Sequence, residues 1–299
     1  MAATPLASKA CDSRIYLDSN RNGVMDASES GVPDVAVSDG ERIVRSAADG
    51  RYRLPAQPGK TLFMIKPSGY DSPRRPDGLP DIFANQASVV AGLRFGGVPE
   101  SDSDCRSFAL WPTDENRAGD EVLSVLVFGD PQPKSTIDVD YYRRDIIAPF
   151  AGRAGARLGI SLGDIVHDDL SLFPEVKAAD ALLATPWLYA AGNHDLDFDA
   201  PDDARSLETF RNQFGPDTFA WEETKANFIV LDDVVYLPGE RPDYIGGLRE
   251  SQFAFLQTYL AQADKAKLLV IAAHIPLFQN GSGRETFRSA DRRRLFALL

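Results

Sequence analysis

The sequence predicts a two-part chain: a small all-β sandwich followed by an α/β domain built on a mostly parallel sheet. Three observations carry this. Short strand-like runs separated by Asp-Gly turns fill the first third of the chain. Beyond it, apolar runs alternate with helical stretches, the pattern of strand-crossover-strand units. Four of the later apolar runs each end in a polar side chain able to bind a cation. The boundaries read as residues 1–111 for the β domain, 112–120 for a polar, Pro-bearing linker, and 121–299 for the α/β domain.

Taken in order, residues 14–17 form a first strand. The runs 35–37 and 43–44 flank Asp39-Gly40, a hairpin signal. Asp49-Gly50 is a second such turn, ahead of Tyr52 and Leu54, and 61–65 continues the series. Residues 67–86 are rich in Pro, Gly and Asp and read as one long loop. Cys11 and Cys105 bracket this domain, either as unrelated thiols or as a disulfide of an oxidising compartment.

Between the first two strands, Asp18, Asn20, Asn22, Val24, Asp26 and Glu29 occupy positions 1, 3, 5, 7, 9 and 12 of a calcium-type loop, with Gly23 at position 6. Five offer side-chain oxygens and Val24 its backbone carbonyl. The flanks are strands, so no helix-loop-helix sensor is implied. The Leu-Asp-x-Asn-x-Asn-Gly run is similar to calcium-binding β-sandwich repeats of bacterial surface proteins, which implies a bound Ca that ties down a loop. The bland alternative is an Asx-rich turn held by its own hydrogen bonds.

In the second domain, the run ending at Phe128-Gly129 leads into Asp130-Pro131-Gln132, and 158–162 leads into Gly163-Asp164. The run 186–191 leads into Gly192-Asn193-His194-Asp195, and 268–273 leads into His274. Ligands of open α/β sheets bind beyond the carboxyl ends of strands. Helical spacing is read over 141–150, 203–214, 248–263 and 285–299. Residues 218–221 and 227–231 read as antiparallel strands, with Trp221, Phe228 and Phe253 in the core. The run Arg292-Arg293-Arg294 reads as a solvated helix face.

This series of strand-end motifs resembles the calcineurin-like metallophosphoesterase superfamily. The Gly-Asp-Pro-Gln opening and the N-terminal module resemble a bacterial subgroup with accessory domains at both ends. The resemblance covers residues 121–299. It implies a four-layer α-β-β-α sandwich with metals at one edge, preceded by an immunoglobulin- or prealbumin-like β-sandwich. Phosphate esters are anionic and slow to hydrolyse, and two divalent metals about 3.5–4 Å apart neutralise charge and supply hydroxide.

Residue by residue, Asp130 resembles a ligand of the first metal. Gln132 stands where many relatives have histidine, and its hard carbonyl oxygen favours Mn, Mg or Fe over Zn there. Asp164 resembles the carboxylate bridging both metals, and Asn193 and His274 resemble ligands of the second. His194 resembles the group that protonates the leaving oxygen. Asp195 either orients His194 or caps the following segment. His167 and Asp168 sit where some relatives carry an orienting carboxylate. The family's Gly-His-x-His is missing, since none of the three histidines follows His274. The expectation is a fragment truncated before its last ligands.

Composition narrows the partners. There are 44 acidic residues against 32 Lys and Arg, for a net charge of −12. Duplex DNA would be repelled, which argues against nucleic acid as a partner. No run approaches the roughly 20 apolar residues of a membrane helix. The N-terminus lacks an apolar signal core and reads as a mature start, so a secreted or periplasmic location is expected. Two readings result: a metal-dependent hydrolase of small phosphate esters, mono- or diesters, with two divalent metals (Mn, Fe, Mg or Zn); or a calcium-stiffened surface protein whose phosphoesterase-like domain no longer catalyses.

Overall fold

The turns set the N-terminal sheets. Asp39-Gly40 reverses the chain between β2 (Ala36–Ser38) and β3 (Ile43–Arg45), which pair antiparallel. Asp49-Gly50 precedes β4 (Arg51–Pro55), which pairs antiparallel with β1 (Ala10–Leu17). With β5 (Thr61–Met64), β6 (Tyr70–Asp71), β7 (Phe83–Asn85) and β8 (Phe108–Pro112), they build two four-stranded sheets. The strand orders are β4-β1-β8-β6 and β3-β2-β5-β7. The stretch 67–86, expected as one loop, holds β6 and β7. Each is too short to show an alternating pattern among its Pro and Gly residues. This computed structural model describes residues 10–55, 57–87, 92–99, 106–114, 122–152, 155–278 and 286–299. Cys105 and the Cys11 side chain lie outside the described residues, and the disulfide expectation with them.

In the second part, β9 (Val125–Phe128), β10 (Leu158–Leu162) and β11 (Trp187–Ala190) form a parallel sheet in the order β11-β10-β9. The continuous apolar runs of β10 and β11 fit buried strands, while β9 lies at the sheet edge with Val127 exposed. A second sheet has the order β12-β13-β16, from Phe219–Glu222, Ala226–Val230 and Leu268–Ala272. There β12 runs antiparallel to β13 and β16 parallel to it. The ligand-bearing strands are thus split three and one between two sheets. A hairpin of β14 (Val234–Tyr236) and β15 (Tyr244–Gly246) was not foreseen, its strands being three residues each.

Helix α1 (Thr136–Tyr141) starts earlier than expected and continues as a π-helical turn over Tyr142–Ile147. Ser135 caps it, its hydroxyl accepting from the Asp138 amide and meeting the Asp138 carboxylate at 2.9 Å. That pairing three residues apart is a helix-start signature. Helix α2 (Phe173–Asp180) was missed, although Pro174 in its first turn marks it. The expected helix 203–214 is divided into a short 3-10 turn and α3 (Glu208–Phe214). Helices α4 (Glu250–Gln262) and α5 (Ser289–Leu298) fall inside their expected spans. Trp221, Phe228 and Phe253 are buried as expected. Arg293 and Arg294 are exposed, as a solvated face requires, while Arg292 is half-buried; the guanidinium groups of Arg292 and Arg294 lie over Phe278 and Phe253 at 5.4 and 3.9 Å.

The two parts share one core. Phe63 of β5 packs edge-on against Phe219 and Phe255, with centroids 6.3 and 6.2 Å apart. Lys66, fully buried, reaches Glu223 at 2.7 Å, and Arg157 joins Glu223 to Asp71. Burial pushes the Lys66 ammonium down to about 8, although Glu223 pulls it the other way. Among the described residues, no helix is long and apolar enough to cross a membrane.

Candidate metal centre

Main-chain bonds lace together the three turns at the carboxyl ends of β9, β10 and β11. The Gln132 amide donates to the Asp164 carbonyl at 3.1 Å, and that of His167 to Pro133 at 3.1 Å. The Asp168 amide donates to the His194 carbonyl at 3.2 Å. Four non-glycine residues of these turns lie at positive φ: Asp130 (37°), Gln132 (44°), Asp164 (49°) and Asp168 (63°). Such backbone is sparsely populated for side-chain-bearing residues and concentrates at functional sites.

Asp164 is the centre of the cluster. It is buried, and its two carboxylate oxygens face different partners. Oδ1 lies 3.3 Å from His274 Nε2 and accepts from the His194 amide at 3.0 Å. Oδ2 accepts from the Gln132 side-chain amide at 3.0 Å. Gln132 therefore meets Asp164 with its nitrogen, where the sequence suggested a carbonyl ligand; a half-turn of the amide exchanges the two atoms. Asp130 stands at the open side, its carboxylate exposed and 3.9 Å from His274 Nδ1.

His274 arrives from the second sheet. Its Nδ1 lies 2.9 Å from the Leu162 carbonyl, so the ring proton belongs there. The lone pair on Nε2 then faces Asn193 Oδ1 at 3.2 Å and Asp164 Oδ1 at 3.3 Å. With the ring proton placed on Nδ1, three acceptor atoms face one another here, an arrangement that a divalent cation would satisfy. The donor set of one imidazole, one carboxylate and one amide oxygen suits Mn, Fe, Zn or Mg. Two glycines make room for this meeting. A Cβ on Gly163 would stand 2.6 Å from His274 Nδ1, and one on Gly192 would stand 2.3 Å from Asp164 Oδ1.

Beside this group lies a second one. His194 Nδ1 is 2.7 Å from Asp168 Oδ1, and the His194 ring stacks on His167 with centroids 4.3 Å apart and planes 24° off parallel. His167, Asp168 and His194 bring three ligand-competent atoms within 4.8 Å of one another. Among the described residues, His167 Nδ1 is buried with no hydrogen-bond partner.

Asp195 does not touch His194 in the way the sequence suggested. It is fully buried, and its carboxylate accepts the amides of Gly192 (2.8 Å), Ile165 (3.1 Å) and Val166 (3.2 Å). It ties the Asn193 turn to the Asp164 turn. Burial pushes its carboxyl up to about 8, against the pull of these amides. Asp233, which the sequence reading missed, does the same for the second sheet. Also buried, it accepts the amides of His274 and Ile275 at 3.1 Å. Burial pushes its carboxyl up to about 7. An acid following an apolar strand is the only signal that could have found it. Tyr244 of β15 was missed as well; burial and then the charge of Asp164 raise its hydroxyl above the ordinary range, and just past β15 the Gly247 amide donates to the Asp233 carbonyl at 3.0 Å.

The calcium-type loop closes on itself. The Asp18 carboxylate accepts the amides of Asn22 and Gly23 at 3.1 and 2.8 Å. Glu29 accepts those of Ser19 and Asp26 at 2.8 and 3.0 Å. The side chains of Asn20 and Asn22 reach Asp26 at 2.8 and 3.1 Å. Val24 is exposed.

Comparison with known families matches residues 123–296 to Calcineurin-like phosphoesterase, and residues 19–95 to the N terminal of Calcineurin-like phosphoesterase. No curated protein matches the chain.

Proposed function

The chain belongs to the calcineurin-like phosphoesterase family, and from that premise we propose that it hydrolyses small phosphomonoesters or phosphodiesters at a dinuclear site. Asp164 would serve both cations. Asn193 and His274 would complete one side, Asp130 and Gln132 the other. When bound, the cations (Mn, Fe, Mg or Zn) would neutralise the ester and lower the pKa of water at the site. The observation that carries the reading is the convergence of His274 Nε2, Asn193 Oδ1 and Asp164 Oδ1.

His194 would give its Nε2 proton to the leaving oxygen. Asp168 would accept the Nδ1 proton, so that Nε2 is the nitrogen that gives its proton up, and would balance the charge of the ring before the transfer. Asp195 and Asp233 hold the ligand turns and touch no substrate. The two three-stranded sheets are read as the inner layers of an α-β-β-α sandwich, and the N-terminal sheets as an immunoglobulin- or prealbumin-like module. We also propose that the loop from Asp18 to Glu29 takes a calcium ion in a secreted or periplasmic setting; its ligand spacing supports this.

The test is hydrolysis of an aryl phosphate and a bis-aryl phosphate across Mn, Mg, Fe, Zn and Ca. Turnover that depends on a divalent metal and is lost in Asp164→Asn is expected. Metal-independent turnover, or full activity in that variant, would overturn the reading.

A further inference from the structure

The N-terminal sheets are anchored to the α/β part through the buried Lys66-Glu223 pair and the Phe63 cluster. A segment of the same module reaches a second place, the loop that follows His194. The Arg94 amide donates to Asp199 Oδ2 at 2.7 Å, and the Gly97 amide to Thr209 Oγ1 at 3.2 Å. Gly97 lies at φ +59°, and a Cβ there would stand 3.0 Å from both Leu93 Cδ1 and Glu208 Oε2. The segment therefore fits closely against this loop.

The loop in turn is bound to the rim of the site. Asp197 is buried, accepts Thr209 through both its amide (2.8 Å) and its hydroxyl (2.6 Å), and donates its own amide to Ser206. Tyr236 of β14 donates its hydroxyl to the Phe198 carbonyl at 2.7 Å and its amide to Asp203 at 2.6 Å. The Phe198 ring packs edge-on against Tyr236, centroids 6.1 Å apart. Tyr236 pairs across the hairpin with Tyr244, and just past β15 the Gly247 amide donates to the carbonyl of Asp233, the residue that holds the His274 turn, at 3.0 Å. A continuous run of contacts thus leads from Arg94 and Gly97, through the 196–209 loop and the β14-β15 hairpin, to the candidate metal centre.

We infer that the N-terminal module is a wall of the substrate cleft: its 93–98 segment positions the loop after His194 and so sets which phosphate esters fit. This rests on the hydrolase reading above. Arg94, Gly97 and Asp199 are positioning residues and touch no substrate. Among the described residues, the module's hydrogen bonds to this loop end on Asp199 and Thr209 and on none of the proposed cation ligands, so loosening this wall should alter substrate fit and leave cation binding intact.

The test compares Asp199→Ala, which removes the acceptor for the Arg94 amide, with Asp199→Asn, which keeps a carbonyl oxygen there. Gly97→Ala disturbs the same contact from the module side. All three are made in the full chain and assayed with the aryl and bis-aryl phosphates. Asp199→Ala and Gly97→Ala should raise KM for the bulkier diester about fivefold, the size expected for the net worth of one ordinary hydrogen bond. Asp199→Asn should restore most of it, and Mn2+ affinity by calorimetry should not change. Amides 196–209 should exchange with deuterium faster in the first two variants and in the wild-type range in Asp199→Asn. Unchanged KM for both substrates, or equal loss of Mn2+ affinity, would overturn the inference. If the wild type hydrolyses neither ester, the hydrolase reading fails on its own. Exchange then still decides whether the module orders the loop, and unaltered exchange would overturn it.

Discussion

Asp168 Oδ1 lies 2.7 Å from His194 Nδ1, although the two residues are 26 positions apart in the chain. The neighbour of His194 in the chain, Asp195, points the other way and is spent on three amides. The acid that serves His194 is thus supplied by the turn after β10. Its own amide donates to the His194 carbonyl, so backbone and side chain hold the ring together.

Asp168→Ala is expected to lower kcat about 10²-fold on an aryl phosphate, the usual scale of a proton-transfer contribution. Mn2+ affinity should stay at the wild-type level, since Asp168 faces the ring and not the cations. Steady-state kinetics paired with calorimetric titration checks this. A loss of metal affinity matching the loss of rate would assign Asp168 to the metal set.

Asp233 orders the turn that presents His274 through two backbone amides. Its removal leaves those donors buried and unpaired, at about 1–3 kcal/mol. Asp233→Ala should therefore lower stability by that amount in urea unfolding. It should also weaken cation binding about tenfold, as loss of an orienting partner does. Co2+ absorption reports the second effect independently of folding: a wild-type spectrum and affinity would show that Asp233 serves the fold alone.

Asp180 gives a pH dependence away from the site. It is buried, and among the described residues only the hydroxyls of Tyr142 and Tyr189 meet its carboxylate, at 2.6 and 2.8 Å. Burial raises its carboxyl to about 7, against these two donors. The folded state thus holds a proton that the unfolded chain releases near pH 4. The stabilisation is complete below that pH and is lost as pH rises through 7. Asp180→Asn stays neutral throughout, so Tm of the variant minus Tm of the wild type should be more positive at pH 8 than at pH 5. A difference that is flat in pH would contradict this.

The buried Lys66-Glu223 pair predicts that the two parts of the chain unfold together. Lys66→Ala leaves Glu223 buried with one cation fewer, at about 3–5 kcal/mol for a broken buried pair. Lys66→Met fills the space and removes the desolvation cost, so it should cost less. Denaturant unfolding followed by Trp fluorescence should show one transition in both. Two separated transitions would mean that the module is an independent unit.

Much of the frame was legible in the sequence, and the reasons are physical. Parallel strands covered on both faces read as unbroken apolar runs, and Gly163 and Gly192 are needed for close approach. The ends of β10 and β11 therefore announced Asp164 and Asn193. What stayed hidden depends on turn geometry. Asp168 reaches His194 only because both it and Asp164 adopt positive φ, which residue type does not reveal. Asp233 looks like any acid after a strand until its amide partners are known. Tyr236 and Tyr244 sit on strands of three residues, too short for an alternating pattern. The long-range fit of Gly97 to Thr209, 112 positions apart, has no local signature at all.

The most direct test of the whole account is a calorimetric Mn2+ titration of the wild type, Asp164→Asn and His274→Ala. The account predicts that the wild type binds, that Asp164→Asn loses affinity at both cation positions, and that His274→Ala loses it at one. A wild-type chain that takes up no divalent cation, or an Asp164→Asn variant that binds as the wild type does, would contradict it.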